Sequence, residues 1–233
     1  MQVVILLGGM ATRLRPITRN IPKAMIIING RPFLEHQIEL LKKNGLKNFV
    51  FCVGYKWNLI KEYFGNGNRY NIEIKYSYDG KYLLGTAGAV RKAIKVLDED
   101  FIILYGDTYL QIEYRSLIDY YYKNKSGYSG LMSVYKNDNK LDKSNVIYKN
   151  GKIIKYDKFH YSPEMKYIDY GISILKKEVL KALPANKRID LADVYAELTK
   201  KGLMLGYEVF NRFYEIGTQK SLKEFENFIV HKQ

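Results

Sequence analysis

The residues best suited to chemistry in this sequence follow short apolar runs, and the first set lies in a glycine-containing segment. The run that ends at Leu7 is followed by Gly8 and Gly9, and then by two cations, Arg13 and Lys23. Glycine has no Cβ, so backbone N–H groups there can approach phosphate oxygens closely. Arginine and lysine can neutralise those oxygens. The segment predicts a phosphate-binding loop, although a tight turn with a surface cation explains the same residues about equally well.

Two common phosphate-binding motifs do not describe this loop. No Gly-Lys-Ser/Thr sequence follows the glycines, so the loop is not a Walker A motif. The third glycine of a dinucleotide-binding fingerprint is also missing. The loop therefore indicates a different class of nucleotide or phosphate site.

Two carboxylates could complement these cations. Asp107 follows the apolar run 101–105, and Glu215 lies just ahead of the last predicted helix. An Asp at the carboxyl end of a buried parallel strand can hold a hard cation such as Mg²⁺, and Glu215 could supply a second carboxylate. Asp107 could equally be a helix N-cap.

A second glycine-containing segment, residues 83–90, leads into a predicted helix and includes Gly85 and Thr86. The N-terminus of a helix attracts anions, and small side chains leave space for a planar base against the backbone. Close packing of the helix on the sheet would select the same small residues. Both explanations stay open at the level of sequence.

The elements that must position these residues alternate between short apolar runs and helical periodicity. This alternation predicts an α/β fold, a Rossmann-like, doubly wound, mostly parallel mixed sheet. With no linker or low-complexity segment inside it, the chain reads as a single domain over 1–233. The strands are expected near residues 2–7, 48–54, 72–77, 101–105, 129–135, 145–156, 167–175 and 203–210.

Turn and capping residues sharpen this outline. Pro32 is expected to start a helix that Asn44 and Gly45 stop. Residues 149–152 predict a hairpin turn, so antiparallel strands should join the sheet in the second half of the chain. The last helix is expected over about 218–229.

The net charge of +14 and the pI near 9.5 could suggest a nucleic-acid-binding protein. However, the lysines are scattered in pairs at helix ends, and most of the 22 tyrosines lie where packing requires them. We therefore expect no nucleic-acid partner. The first apolar run is too short for a membrane span and lacks the flank of a signal peptide, which predicts a cytoplasmic protein without membrane contact.

Taken together, these segments resemble the sugar-phosphate nucleotidyltransferase family, in particular its short members that make GDP-heptose, GDP-mannose and N-acetylmuramic acid nucleotides. The resemblance spans nearly the whole chain. The family signature, Gly-Gly-x-Gly-Thr-Arg-Leu followed by Pro-Lys, corresponds here to Gly8-Gly9-Met10-Ala11-Thr12-Arg13-Leu14 and Pro22-Lys23. The chain departs from the family pattern by having Ala11 for glycine, Glu215 for aspartate and Asp157 for glutamate.

The resemblance implies roles for individual residues and a fold of the nucleotide-diphospho-sugar transferase type. Arg13 and Lys23 would be the catalytic cations, and Asp107 and Glu215 the ligands of Mg²⁺. The implied nucleotide-binding residues are Leu6, Gly8, Gly9, Met10, Thr12, Gly85, Thr86 and Gly106. The implied sugar-binding residues are Asp157, Lys158, Tyr170 and Gly171.

The implied reaction joins a nucleoside monophosphate from an NTP to a sugar 1-phosphate and releases pyrophosphate. Residues 84–88 resemble the guanylyltransferase members, which points to GTP, and the resemblance to members that make GDP-heptose and GDP-mannose implies a heptose or hexose 1-phosphate as the acceptor. One alternative is a cytidylyltransferase acting on phosphocholine or a similar small phosphate, and another is a regulatory nucleotide-binding module without turnover. The expected state is a monomer or a homodimer.

Overall fold

A nine-stranded mixed sheet forms the centre of the protein in the computed structural model, which describes residues 1–10, 12–80 and 82–231. The strands of this sheet and of two small accessory sheets are β1 (Gln2–Leu7), β2 (Ile27–Ile28), β3 (Arg31–Pro32), β4 (Asn48–Val53), β5 (Glu73–Tyr78), β6 (Asp100–Tyr105), β7 (Thr108–Leu110), β8 (Gly130–Lys136), β9 (Val146–Lys149), β10 (Lys152–Tyr156), β11 (Tyr167–Lys176), β12 (Met204–Val209) and β13 (Phe213–Glu215).

The helices number seven within the described residues. They are α1 (Phe33–Lys43), α2 (Trp57–Phe64), α3 (Gly85–Lys92), α4 (Tyr114–Asn124), α5 (Lys177–Lys181), α6 (Leu191–Lys200) and α7 (Gln219–His231). Among the described residues, no helix is both long and apolar enough to span a membrane.

The large sheet divides into a parallel part and a mixed part. Its strand order is β5-β4-β1-β6-β11-β8-β12-β10-β9. The first four strands are parallel to one another, and β12 runs parallel to β8. The other neighbouring pairs, namely β6 with β11, β11 with β8, β12 with β10 and β10 with β9, are antiparallel. The mixed α/β fold is confirmed, but the sheet is half antiparallel instead of mostly parallel.

The cause of this difference lies in the connections of the second half. Parallel neighbours need a crossover, whereas antiparallel neighbours can be joined by a short turn. The predicted hairpin is one such turn, and it is confirmed: Asn150 and Gly151 have φ angles of 50° and 76° and join β9 to β10. These positive φ values fit the Asn-Gly pair of a type I′ turn.

Helices cover both faces of the sheet because successive strand residues point to opposite sides. In β1, Val3 and Ile5 pack in the core on one side with residues of α1, α2 and α4, whereas Val4 packs on the other side with residues of α3, α5 and α6. The helix predicted after Pro32 is α1, which ends at Lys43, directly before Asn44 and Gly45. The ends of β1 and β6 are thereby fixed on both faces.

A third apolar cluster lies beside the large sheet, where β7 and β13 form a two-stranded antiparallel sheet. The sequence analysis did not predict these two strands. Helix α7 packs there through Leu222, Phe225 and Ile229, against Leu14 and Phe33. The observed α7 begins one residue later than predicted and extends to His231. This cluster joins the segment after β1 to the segment before α7.

Candidate active site

A cavity of about 250 Å³ lies at the carboxyl ends of β1 and β6, and we call it the first cavity. These ends are adjacent because Leu6 pairs with Tyr105 across parallel strands. In open α/β sheets, ligands bind beyond the carboxyl ends of the strands. The cavity is lined by Leu6, Leu7, Gly8, Gly9, Lys23, Ala24, Asp79, Leu83, Gly85, Thr86, Ala89, Tyr105, Gly106, Asp107, Arg188 and Asp190.

An ion pair between Lys23 and Asp107 closes one side of the first cavity. Lys23 begins a short 3-10 turn after Pro22, and its Nζ lies 2.7 Å from Oδ2 of Asp107. Both side chains are largely shielded, with exposures of 18% and 33%. The predicted cation of the loop and the predicted carboxylate of β6 are therefore brought into direct contact across 84 residues of sequence.

The turn that carries Asp107 is held by Gln37, a buried residue of α1. Its Nε2 donates hydrogen bonds to the carbonyl oxygens of Tyr105 (2.9 Å) and Thr108 (2.8 Å). These carbonyls flank Gly106 and Asp107, so the side-chain amide of Gln37 stabilises the turn. This role of Gln37 is not predictable from the sequence, because a polar residue within an amphipathic helix does not indicate which turn its side chain will contact.

A second and larger cavity, of about 610 Å³, adjoins the first, and Tyr105 contributes to the lining of both. Its lining is rich in charged and aromatic side chains. The cations are Arg13, Lys140, Lys158, Arg212 and Lys220, and the carboxylates are Asp142, Asp169, Glu215 and Glu224. Two adjoining cavities that share a wall can hold two substrates side by side.

The two predicted metal ligands lie at one end of the small sheet, Asp107 in the turn before β7 and Glu215 at the end of β13. Glu215 in β13 pairs with Thr108 in β7, and the N–H of Ile216 donates to the carbonyl oxygen of Asp107 (3.0 Å). Oε2 of Glu215 accepts a hydrogen bond from Gly217 N (2.7 Å). Asp107 lines the first cavity and Glu215 the second, and the backbone bond between Ile216 and Asp107 keeps the two residues near each other.

This donor set suits a hard divalent cation that is also ligated by substrate oxygens, because Mg²⁺ is usually bound by one or two carboxylates together with phosphates. It does not form a metal cage made only of protein. Within residues 1–10, 12–80 and 82–231, no group of three or more His, Cys, Asp or Glu residues is arranged to hold a metal ion.

Comparison with known proteins decides the family. The model of the nucleotidyl transferase family matches residues 2–232. The chain belongs to the nucleotidyl transferase family. It is 31% identical to the D-glycero-alpha-D-manno-heptose 1-phosphate guanylyltransferase of Campylobacter jejuni, over 97% of this chain and 98% of that one. It is 29% identical to the enzyme of the same name from Aneurinibacillus thermoaerophilus, over 98% and 100% of the two chains.

A solved structure agrees with these relatives. The structure of HddC from Yersinia pseudotuberculosis complexed with GMP-PN is similar to this chain with a TM-score of 0.80 and 25% identity, covering 98% of this chain and 99% of that one. These similarities confirm the prediction of a sugar-phosphate nucleotidyltransferase. Enzymes of this family generally use a divalent metal.

Most of the predicted nucleotide-binding residues of this nucleotidyl transferase line the first cavity. Gly9 has open space where a Cβ would lie, which leaves room for a phosphate. Gly106 has none, because a Cβ there would collide with the side chain of Leu7. Met10 and Thr12 are exposed and line neither cavity, and Ala11 lies outside the described residues.

Packing explains the small residues at the start of α3. A Cβ on Gly85, which has a φ of +71°, would lie 2.5 Å from the carbonyl oxygen of Ile189. The N–H of Thr86 donates to Asp190 Oδ1 (3.2 Å), and its hydroxyl accepts from Leu191 N (2.7 Å). Gly85 and Thr86 border the first cavity, but the N–H and the hydroxyl of Thr86 bind the residues at the start of α6.

The predicted acceptor residues of the nucleotidyl transferase divide into two groups. Lys158, Tyr170 and Gly171 line the second cavity, and so does Arg13, which does not line the first. Asp157 lines neither. Its Oδ1 accepts from the backbone N–H groups of Phe159 (2.9 Å) and His160 (2.8 Å), which lowers its pKa. Asp157 therefore caps its own turn instead of presenting its carboxylate to the cavity.

Two carboxylates that were not predicted from the sequence line the cavities, and Asp79 is buried whereas Asp169 is half-buried. Asp79 lines the first and Asp169 the second, and burial raises the pKa of each to about 6. Asp79 follows the end of β5, as Asp107 follows β6, so its position carried a signal. Asp169 lies within a strand, where only its charge marks it as unusual. Burying a carboxylate is costly, and such groups cluster at functional sites.

Proposed function

We propose that this nucleotidyl transferase transfers GMP from GTP to a heptose or hexose 1-phosphate, giving a GDP-sugar and pyrophosphate. Two relatives that match it over nearly their full length are named as heptose 1-phosphate guanylyltransferases. A mannose-1-phosphate guanyltransferase from Aspergillus oryzae is 27% identical over 94% of this chain. Guanine nucleotides and sugar 1-phosphates are therefore the substrates of first choice.

The observation that carries the proposal is the junction between the two cavities. Lys23 and Asp107 lie at the edge of the first cavity, Glu215 lies at the edge of the second, and Tyr105 belongs to both. A nucleotide in the first cavity would extend its phosphates toward an acceptor in the second. Holding two reactants in this way converts a bimolecular step into an effectively unimolecular one.

The reaction needs no protein nucleophile. An oxygen of the sugar phosphate attacks the α-phosphorus of GTP in line with the departing pyrophosphate. The attacking phosphate is already ionised at neutral pH, so no general base is required. The protein must align two anions and offset their repulsion, which is the role of Lys23 on the nucleotide side and of Arg13 on the acceptor side.

Mg²⁺ is part of the proposal. Asp107 and Glu215 would hold it, since Asp107 lines the first cavity, Glu215 lines the second, and the small sheet joins their backbones. When bound, the ion neutralises phosphate charge and polarises the phosphoryl oxygens. Oδ2 of Asp107 contacts Lys23, so this lysine would lie beside the phosphates of a metal-bound nucleotide.

Four further features complete the proposal: residues 1–233 act as one catalytic domain, as a monomer or a homodimer, in the cytoplasm, and without nucleic-acid or membrane partners. The scattering of the lysines supports the absence of a nucleic-acid partner, because a binding site would concentrate them on one face.

The test is pyrophosphate release in the presence of Mg²⁺. ATP, CTP, GTP, UTP and dTTP are each combined with heptose, mannose and glucose 1-phosphates and with phosphocholine. We expect release with GTP and one of the sugar phosphates, and formation of the GDP-sugar in equal amount. Release with CTP and phosphocholine would contradict the proposal and support the cytidylyltransferase. Binding of GTP without turnover on any acceptor would support the regulatory module.

A further inference from the structure

Asp79 is a buried carboxylate in the wall of the first cavity, and among the described residues its side chain has no hydrogen-bond partner. It follows β5, and only 7% of its surface is exposed. Its backbone is fixed: the N–H donates to Val53 O (3.0 Å), and the carbonyl oxygen accepts from Lys92 Nζ (2.8 Å). Its Oδ1 is shielded from water and accepts no hydrogen bond within the described part of the chain.

The surroundings of Asp79 place the residue in the wall of the first cavity. It lines the first cavity together with Gly8, where a Cβ would come within 3.0 Å of Asp79 Oδ2. Of the other charged groups that line this cavity, Lys23 pairs with Asp107, Asp190 holds Thr86, and Arg188 is exposed to solvent. A buried polar group left unpaired is costly, and such groups in native proteins call for an explanation.

The walls next to Asp79 suit a planar base. Leu7, Leu83 and Ala89 contribute apolar side chains to the same cavity. A ring lying between these walls would turn its polar edge toward the carboxylate. The torsion of an aspartate about its Cβ–Cγ bond is broad, so both oxygens can turn toward the cavity at little cost.

An ionised carboxylate only accepts hydrogen bonds, and it can accept two from adjacent donors. Guanine alone among the common bases has two adjacent donors on its pairing edge, N1–H and the 2-amino group. Adenine and cytosine place an amino group beside a ring acceptor, and uracil and thymine place one N–H between two carbonyls. A carboxylate in this place therefore favours guanine and repels the acceptors of the other bases.

We propose that Asp79 selects guanine, with its carboxylate accepting hydrogen bonds from N1–H and from the 2-amino group of GTP. This inference rests on the proposed function, since it deepens the choice of GTP as donor. Sites built to hydrogen-bond a polar group reject analogues that lack it far more strongly than apolar pockets reject a missing methylene. Inosine triphosphate, which lacks the 2-amino group, should bind about 10- to 100-fold more weakly than GTP.

The decisive variant is Asp79→Asn, tested with xanthosine triphosphate. Xanthine has a carbonyl in place of the 2-amino group, so the asparagine NH₂ donates to it while the asparagine oxygen accepts from N1–H. Affinities for GTP, ITP and XTP are measured by isothermal titration calorimetry without an acceptor. We expect the ratio of GTP to XTP affinity to fall by at least about 10²-fold in the variant.

A matched control is Asp119→Asn, which makes the same change at an exposed carboxylate that lines neither cavity. It should keep the wild-type preference. A gain in XTP affinity cannot come from misfolding. An Asp79→Asn protein with the wild-type preference would overturn the inference, and so would a folded variant that loses all three nucleotides equally.

The same measurements separate this inference from the proposed function. If the wild-type protein releases pyrophosphate from GTP but the variant keeps its preference, only the role of Asp79 fails. If the preference changes as expected but no sugar phosphate supports turnover, only the proposed reaction fails.

Discussion

The two cavities differ in how they are built, and the difference indicates where specificity lies. The first is small, has apolar walls and contains one unpaired buried carboxylate. The second is more than twice as large and is lined by many charged and aromatic side chains from several loops. A single residue can therefore decide which base enters the first cavity. Recognition of the acceptor must be distributed over many contacts, so no single substitution in the second cavity should change it completely.

The largest effect is expected at the junction of the two cavities, where the reacting phosphates of both substrates would meet. Lys23→Ala and Asp107→Ala should each lower kcat by about 10³-fold, because each removes a charge placed at the reacting phosphates. Both side chains are partly exposed, so the melting temperature should change little. Steady-state kinetics with GTP and the acceptor, together with thermal unfolding, measure both outcomes.

Lys200→Ala is a suitable control for the lysine, because Lys200 is exposed at the end of α6 and lines neither cavity. Its kinetics should match the wild type. Normal turnover in Lys23→Ala or Asp107→Ala would show that the junction is not the reaction site.

A smaller effect, of about 10²-fold on turnover, is expected for Glu215→Gln. Glutamine keeps an oxygen that can accept from Gly217 N, so the local structure is preserved while the charge is lost. Glu215→Asp keeps the charge and should retain much of the activity. Activity is measured across a range of Mg²⁺ concentrations, and Glu215→Gln should require more Mg²⁺. Equal activity of all three proteins would leave Glu215 with a structural role only.

The junction was largely predictable from sequence, because its residues follow strands. Gly8 and Gly9 follow β1 and Asp107 follows β6, and the carboxyl ends of parallel strands meet at one edge. That Glu215 would join Asp107 at a metal was suggested by its place just ahead of the last helix and by the family resemblance, but not by any strand pairing visible in the sequence. It depends on the pairing of β7 with β13, two three-residue strands that show no clear apolar alternation.

The outer parts of both cavities were less predictable, because they depend on long-range packing. Gly85 resembles an anion-binding glycine in the sequence, yet its conformation is required by the approach of Ile189 from a segment about a hundred residues away. Asp157 resembles a sugar ligand, yet its carboxylate is used by its own turn. Sequence patterns identify groups that can bind a ligand, but not whether another part of the chain has already engaged them.

Asp169 allows a direct test of distributed recognition in the second cavity. Its Oδ1 accepts from Gly171 N (3.0 Å), and asparagine can keep this bond. We expect Asp169→Asn to raise the KM for the acceptor by about 10-fold, as when one hydrogen bond to a charged group is lost, and to leave the affinity for GTP unchanged. A larger change in GTP affinity than in acceptor KM would contradict the division between the cavities.

The smallest expected effect is on stability, and it concerns both cavities because each is lined by a carboxylate with a raised pKa. Burial raises the pKa of Asp79 and of Asp169 to about 6, so the folded protein binds protons more tightly than the unfolded chain. Stability should therefore fall as the pH rises from about 4 to about 6, and stay lower above that range.

Asp79→Asn removes this ionisation, so the variant should unfold at a higher temperature than the wild type at pH 8. The expected gain is on the order of 1–3 kcal/mol, or about 2–12 °C for a chain of this size, and it should largely disappear near pH 4.5. Asp119→Asn should show no such dependence on pH. The measurement is thermal unfolding of Asp79→Asn and the wild type at both pH values. An equal difference in melting temperature at both would mean that asparagine changes packing. A difference only at high pH would mean that the protein gives up stability to keep a charged group facing its nucleotide.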